Sequence, residues 1–241
     1  MSALNGVFVT GTGTEVGKTV VAAVIARTLA ANGASVAVFK PAVTGLNELP
    51  ADGTQSSDID RFQSRRPGDE QDHALLRRAA GSGQSDDEIA PYRYGPAASP
   101  HLAAALASEA IDPQGLLDAA RAAAESADIL VCEGVGGLLV PLTSSYLVRD
   151  LAVELALPLA IAASPGLGTI NHTLLTIEAA RTAALEVTAV VLTPWPDEPS
   201  PIEQSNRETI EALGSVTVET LPPLALDAPE TWPPMGLKRD I

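Results

Sequence analysis

The stretch Gly11-Thr12-Gly13-Thr14-Glu15-Val16-Gly17-Lys18-Thr19 carries the residue types that hold phosphate. Glycines let successive backbone N–H groups turn into one concavity, and a helix starting directly afterwards adds its own unpaired N–H groups. At this spacing Lys18 reaches the outer phosphates of a nucleotide and the Thr19 hydroxyl sits on a magnesium ion. The usual pattern puts four residues between its first glycine and the Gly-Lys pair; here Thr12 occupies that first position and Gly11 stands one residue further back. Other chemistry-bearing residues lie far along the chain. Lys40 ends an apolar run, and Glu133 ends another and is followed by Gly134-Val135-Gly136-Gly137, whose glycines let a ligand approach the backbone. Glu133 suits magnesium, directly or through water. Asp58 follows Ser57 in the first turn of an expected helix, where a carboxylate either complements the helix dipole or faces a metal. Ser164 to Asn171, with Gly166 and Gly168, opens a helix whose amides can take a carboxylate or a phosphate.

These residues need elements that bring them to one place. Residues 6–10 read as a short buried strand, and Val20, Val21, Val24, Ile25, Thr28 and Leu29 recur at helical spacing up to a stop at Asn32-Gly33. A second strand covers 34–41, a loop 42–57, and a third strand 128–133. Ser99 is placed to cap a helix with Pro100 at its first position, and alanine-rich helices are expected near 101–109 and 113–126. The alternation continues with helix 146–157, strand 158–163, helix 170–184, strand 187–193, helix 201–213 and strand 216–221. This is a βαβ series, which predicts an α/β fold with a mainly parallel sheet and helices on both faces. In such sheets ligands bind at the carboxyl ends of the strands, where Lys40 and Glu133 emerge. Position alone favours a solvated lysine at 40, and a glutamate that merely ends its strand is the plain alternative at 133. Residues 67–90 are polar and glycine-rich and read as an exposed insertion, while the proline-rich segment 222–241 is expected to be irregular and to fold over the site or a neighbouring subunit.

The composition narrows the class of function. A chain of 241 residues with 46% apolar residues suits a single α/β domain spanning 1–241. Its formal charge of −15 argues against nucleic acid or an anionic membrane as the main partner, so a phosphate site must be positive only locally. The single cysteine, Cys132, lies in an apolar strand, which points to a buried inert thiol and a cytoplasmic setting. No apolar run is long enough to span a membrane. His101 and His172 read as structural imidazoles.

Taken together, these blocks resemble the dethiobiotin synthetase family, whose members belong to the P-loop NTPases. The resemblance rests on Val9 through Thr19, Lys40-Pro41 with Thr44-Gly45, Ser57-Asp58, Ser99-Pro100-His101, Glu133 through Gly137, and Gly168 through His172, in family order. The longer phosphate loop is itself a mark of that family. The resemblance implies an ATP-dependent cyclo-ligase of biotin biosynthesis that uses magnesium, CO2 and 7,8-diaminononanoate. It implies nucleotide binding by Thr14, Glu15, Val16, Gly17, Lys18, Thr19 and Val20, by Glu133, Gly134, Val135 and Gly136, and near the base by Thr193, Pro222, Pro223 and Leu224. Lys18 and Lys40 would be catalytic, and Thr19, Asp58 and Glu133 would hold magnesium. Thr44 and Gly137 would face the substrate. In the implied homodimer, Gly168, Thr169, Ile170 and Asn171 would hold the substrate carboxylate across the interface.

One departure stands out. Members often place an adenine-reading asparagine after the strand that ends near 192, where this chain runs Thr193-Pro194-Trp195-Pro196. That predicts a nucleoside triphosphate site with loose base preference. A partitioning-type, nucleotide-switched ATPase shares the fold, but its loop usually carries an early second lysine where this chain has Thr12 and Gly13. Such a switch also needs a basic surface for DNA, which the charge balance opposes.

Overall fold

The computed structural model describes residues 4–46, 71–232 and 234–235. Its main sheet has six strands: β1 (Gly6–Gly11), β2 (Val36–Phe39), β5 (Ile129–Gly137), β6 (Leu159–Ala163), β7 (Val187–Leu192) and β8 (Thr217–Thr220). Their spatial order is β2-β5-β1-β6-β7-β8, and every neighbouring pair is parallel. A small parallel pair, β3 (Ala42–Val43) and β4 (Tyr92–Arg93), lies beyond the end of β2. The helices are α1 (Lys18–Ala31), α2 (Asp72–Ala80), α3 (Asp86–Ile89), α4 (Pro100–Leu106), α5 (Pro113–Glu125), α6 (Val148–Leu155), α7 (Thr169–Thr182) and α8 (Pro201–Gly214).

Alternation along the strands builds two cores. Val7 and Val9 of β1, Val36 and Val38 of β2, and Val131 of β5 face α1 and α2 on one side. Phe8, Ala37, Phe39, Leu130 and Cys132 point the other way, into the core covered by α5, α6, α7 and α8. Side chains on a strand alternate faces, so a parallel sheet covered on both sides requires apolar residues at consecutive positions, and these strands supply them. The expected parallel α/β sheet with helices on both faces is therefore what forms. Since the strands run parallel, their carboxyl ends share one edge, and β1 stands between β5 and β6 at the point where the strand order reverses.

The stretch expected to be an exposed insertion is different where it is described. Residues 71–90 hold α2 and α3, and Leu75, Leu76, Ala79, Ala80 and Ile89 are buried against α1 and β2. Four apolar positions at i, i+1, i+4 and i+5 suffice for the buried face of a short helix, although arginine, aspartate and glycine dominate the surrounding composition. Gly81, at φ 63, ends α2, and a capping box between Ser85 and Glu88 starts α3. Gln84 completes the packing: its Oε1 accepts from Val38 N at 2.8 Å and its Nε2 donates to Val38 O at 3.1 Å, pairing the outer edge of β2.

The described part of the C-terminal segment also departs from expectation. After the irregular Pro222-Pro223-Leu224 comes a 3-10 turn at Pro229–Thr231, and Trp232 and Met235 are buried in the core formed with α1 and α2. Thr28 Oγ1 accepts from Met235 N at 3.1 Å. This cover explains why α1 is apolar all round, with Val21 through Ile25 fully buried. Cys132 is fully buried, and burial together with the neighbouring Glu133 pushes its thiol well above the ordinary range. His101 and His172 are exposed, contrary to a structural role for either imidazole. Among the described residues no helix is long and apolar enough to cross a membrane.

If 71–90 is integral to the core, Leu76→Ala should destabilise the protein by about 2–5 kcal/mol, the usual cost of a buried leucine truncation. Urea unfolding followed by circular dichroism measures this. A midpoint unchanged from the parent would mean that α2 contributes nothing to stability.

Candidate active site

β1 delivers the chain to Gly11, and Thr12 N donates to Ala162 O at the end of β6, 3.0 Å away, so the loop begins anchored to the sheet. Glu15 and Gly17 take φ values of 59 and 85, and the left-handed conformation turns successive N–H groups toward the mouth of the loop. Gly17 is the N-cap of α1 and its O accepts from Val21 N at 2.9 Å. No side chain caps α1, and no acidic residue lies in its first turn, so its positive end is left for an anion.

Four charged side chains converge in front of this loop. Lys18, 7% exposed, donates from Nζ to Gly13 O at 2.7 Å. Thr19 Oγ1 donates to Glu133 Oε1 at 2.9 Å, and Lys40 Nζ donates to the same oxygen at 2.6 Å. Lys40 Nζ also lies 2.9 Å from Asp72 Oδ2. Glu133 is fully buried, and its Oε2 accepts no hydrogen bond among the described residues. Burial lowers Lys18 to about 8, against the raising effect of Glu133. For Lys40, burial presses downward but Asp72 and Glu133 outweigh it, so its ammonium form is held. Burial raises Glu133, and Lys40 opposes that rise.

These groups line one cavity of about 500 Å³. Its polar wall includes Thr14, Glu15, Lys18, Thr19, Lys40, Thr44, Asp72, Ser99 and Glu133, and its apolar wall includes Ala42, Pro100, Val135 and Val140. Gly136 turns the chain between the walls at φ 61, where a Cβ would meet Val140 Cγ2 at 2.7 Å. The arrangement can bind a polyanion on the loop and hold a second anionic group at Lys40, with an apolar surface beside it.

Comparison with known proteins bears on which anions these are. Residues 5–226 match the family model described as "AAA domain". The chain is 32% identical over 215 residues to the ATP-dependent dethiobiotin synthetase of Bacillus subtilis (strain 168), covering 89% of this chain and 85% of that protein. It is 37% identical over 219 residues to the enzyme of the same name from Rhodococcus erythropolis, covering 89% and 86%. The chain belongs to the ATP-dependent dethiobiotin synthetase family. Among solved structures it is similar to a ParA family ATPase from Chlorobium tepidum, with a TM-score of 0.52 and 17% identity, covering 95% of this chain and 88% of that one. At that identity the likeness extends to the fold alone.

Within this dethiobiotin synthetase family member, the cavity gathers Thr14, Glu15, Gly17, Lys18, Thr19, Val20, Lys40, Thr44, Glu133, Val135 and Gly136 from the residues singled out in the sequence. Others lie elsewhere. Val16 packs over Gly11, and Gly134 is a core residue whose missing Cβ is replaced by Val148 and Phe8. Gly137 backs the loop, paired in register with Gly11. Thr193 is 3% exposed and sits behind the loop. Pro222 and Pro223 are exposed beyond β8, and Leu224 packs toward the core of α1. Gly168 and Asn171 are exposed at the N-terminus of α7, outside the cavity, with Thr169 buried and Ile170 half-buried. Asp58 lies outside the described residues.

Asp72 also lines the cavity, although it lies in a stretch whose composition reads as an exposed insertion. Its signal was an acid in the first turn of a helix, directly before the Leu75-Leu76 stripe. Among the described residues no three His, Cys, Asp or Glu side chains group as a metal site, so a cation here would draw its remaining donors from hydroxyl and ligand oxygens.

Free, the Lys18 ammonium loses its proton near pH 8; contact with phosphate favours the charged form and raises that value. ATP binding should therefore take up protons between about pH 8 and 9 and fewer near pH 7. Calorimetry in buffers of different ionisation enthalpy measures this, and net release or no exchange at the higher pH would contradict it.

Proposed function

We infer that this protein is an ATP-dependent dethiobiotin synthetase of biotin biosynthesis, a cyclo-ligase built on a single P-loop α/β domain. The observation that carries the reading is the convergence of Lys18, Lys40, Thr19 and Glu133 in one cavity, in a chain of this family. In this reading one amine of 7,8-diaminononanoate attacks CO2 to give a carbamate and releases a proton. The carbamate oxygen attacks the terminal phosphorus of ATP and ADP leaves. The second amine then attacks the carbonyl carbon of the mixed anhydride and loses a proton, inorganic phosphate departs, and the ring closes.

Each step develops or moves anionic oxygen, so charge stabilisation and alignment supply the catalysis and no protein nucleophile is needed. Lys18 and the amides around Gly17 hold the transferring phosphate. Lys40, kept protonated by Asp72 and Glu133, faces the carbamate oxygen. Thr44 lines the substrate side, and the apolar wall formed by Ala42, Pro100 and Val140 suits the methylene chain. Magnesium fits the residues present: Thr19 Oγ1 and Glu133 sit together, Glu133 Oε2 is buried without a partner, and Asp72 shares the same ammonium. Thr19, Asp58 and Glu133 would hold it, with phosphate oxygens and water as further donors, and it would neutralise the outer phosphates.

A homodimer belongs to this proposal because Gly168 through Asn171 lie outside their own chain's cavity. A second copy would bring its α7 N-terminus to the cavity, and those amides would hold the substrate carboxylate. A cytoplasmic setting suits the single buried thiol.

Purified protein with magnesium, bicarbonate and ATP should release phosphate only when 7,8-diaminononanoate is added, and the cyclic urea should appear with it. Lys40→Ala should lower turnover at least about a hundredfold, as loss of an oxyanion-stabilising group does. Phosphate release indifferent to the diamine would instead favour a nucleotide switch, and near-normal turnover in the variant would remove Lys40 from the chemistry.

Base preference gives a separate expectation. The side chain of Thr193 is buried behind the loop, and Pro222, Pro223 and Leu224 carry no side-chain amide to read adenine. CTP, GTP and UTP should therefore support turnover comparably with ATP. Exclusive use of ATP in the same assay would contradict this.

A further inference from the structure

Gly17 is the hinge on which the phosphate loop becomes a helix, and one residue outside the loop bears on it. A Cβ built on Gly17 would lie 2.4 Å from Thr193 Cγ2, and the next nearest atoms, at 3.8 and 3.9 Å, also belong to Thr193. Thr193 follows β7, and β6 separates β7 from β1 in the sheet. Its N–H donates to Ala163 O at 2.9 Å, next to the carbonyl of Ala162 that receives the loop's own Thr12 N–H at 3.0 Å. Loop and buttress thus hang from consecutive carbonyls at the end of β6. With 3% exposure, Thr193 turns its side chain inward to the loop.

We propose that Thr193 is a positioning residue for the phosphate loop, acting through its methyl group on Gly17. Glycine explores backbone conformations closed to other residues, and its left-handed φ of 85 directs the N–H groups of Gly17, Lys18 and Thr19 toward bound phosphate. Gly17 has no side chain of its own to lock that direction, and the Thr193 methyl fills the space into which its Cα would otherwise move. The other end of the loop is held differently, by Val16 and Lys18 side chains packed over Gly11. Thr193 therefore contributes to phosphate affinity without touching phosphate and without reading the base. This inference rests on the nucleotide-site reading of the cavity.

Two substitutions separate the methyl from the hydroxyl. Thr193→Val keeps the methyl, and Thr193→Ser keeps only the hydroxyl. Calorimetry with ATP and with inorganic tripolyphosphate, which has no base, gives the readout, together with KM for the diamine and the melting temperature. Thr193→Ser should raise Kd for both ligands about fivefold, the scale of one lost buried methyl contact, while Thr193→Val stays within about twofold of the parent. KM for the diamine should not change. A weakened valine variant with a normal serine variant would assign the role to the hydroxyl and overturn the proposal. Weakening confined to ATP would make Thr193 a base contact and overturn it equally, as would two variants that bind like the parent. A serine variant that lowers melting temperature and impairs diamine KM in parallel would reduce Thr193 to general packing, again against the proposal. A parent protein that binds neither ATP nor tripolyphosphate would instead remove the nucleotide-site reading itself.

Discussion

A buried ammonium held between two carboxylates is the interaction on which the site depends. Lys40 and Glu133 are almost entirely removed from water, and Asp72 joins them from a third part of the chain. Taking one such charge out of water costs several kcal/mol, and removing a partner leaves that cost uncompensated. The residue after β2, the middle of β5 and the first turn of α2 are thereby tied to one another, and Thr19 ties α1 to the same carboxylate. The protein carries a formal charge of −15, and the cavity sets two ammonium groups and an uncapped helix N-terminus among the carboxylates of Glu15, Asp72 and Glu133. The direction of the helix N-terminus and of the ammonium groups, not the overall charge, suits the loop to anions.

That meeting is possible because the sheet is parallel. The parallel register pairs Phe39 with Cys132, so residues 93 positions apart arrive side by side, Lys40 just after β2 and Glu133 within β5. Alternating side chains feed two cores, and the one around α1 is closed by α2 and by Trp232 and Met235. The helix that begins with Lys18 and Thr19 is thus clamped along its length, while its first turn stays open to the cavity. Rigid support with an open N-terminus is what electrostatic catalysis needs, because donors fixed in advance do not have to reorganise when charge develops.

The same fold serves proteins with unrelated tasks, and a ParA family ATPase shares it at low identity. In this chain Lys40, Thr44, Glu133 and Gly136 stand on one side of the phosphate loop, and Thr193 stands behind it. A fold of this kind supplies the loop and the edge, and the chemistry follows from the side chains placed there.

Much of this was legible in the residues alone. The glycines, Lys18 and Thr19 announce a phosphate loop because such a turn works through local backbone geometry, and consecutive apolar positions announce buried parallel strands because each residue's face follows from its neighbours. Lys40 was readable as the residue that ends a strand, whereas Glu133, expected at a strand end, lies inside β5, which continues to Gly137. Asp72 and the helix that carries it were not readable, since a short helix stripe within a polar stretch gains its burial only when α1 and β2 are already in place to receive it. Nor could the chain show that Thr193 turns inward onto Gly17, that Gly134 serves packing, or that the C-terminal segment covers α1. Local sequence determines conformations set by neighbouring residues, whereas contacts between distant segments depend on which surfaces the folded sheet leaves open, and only the tertiary structure decides those.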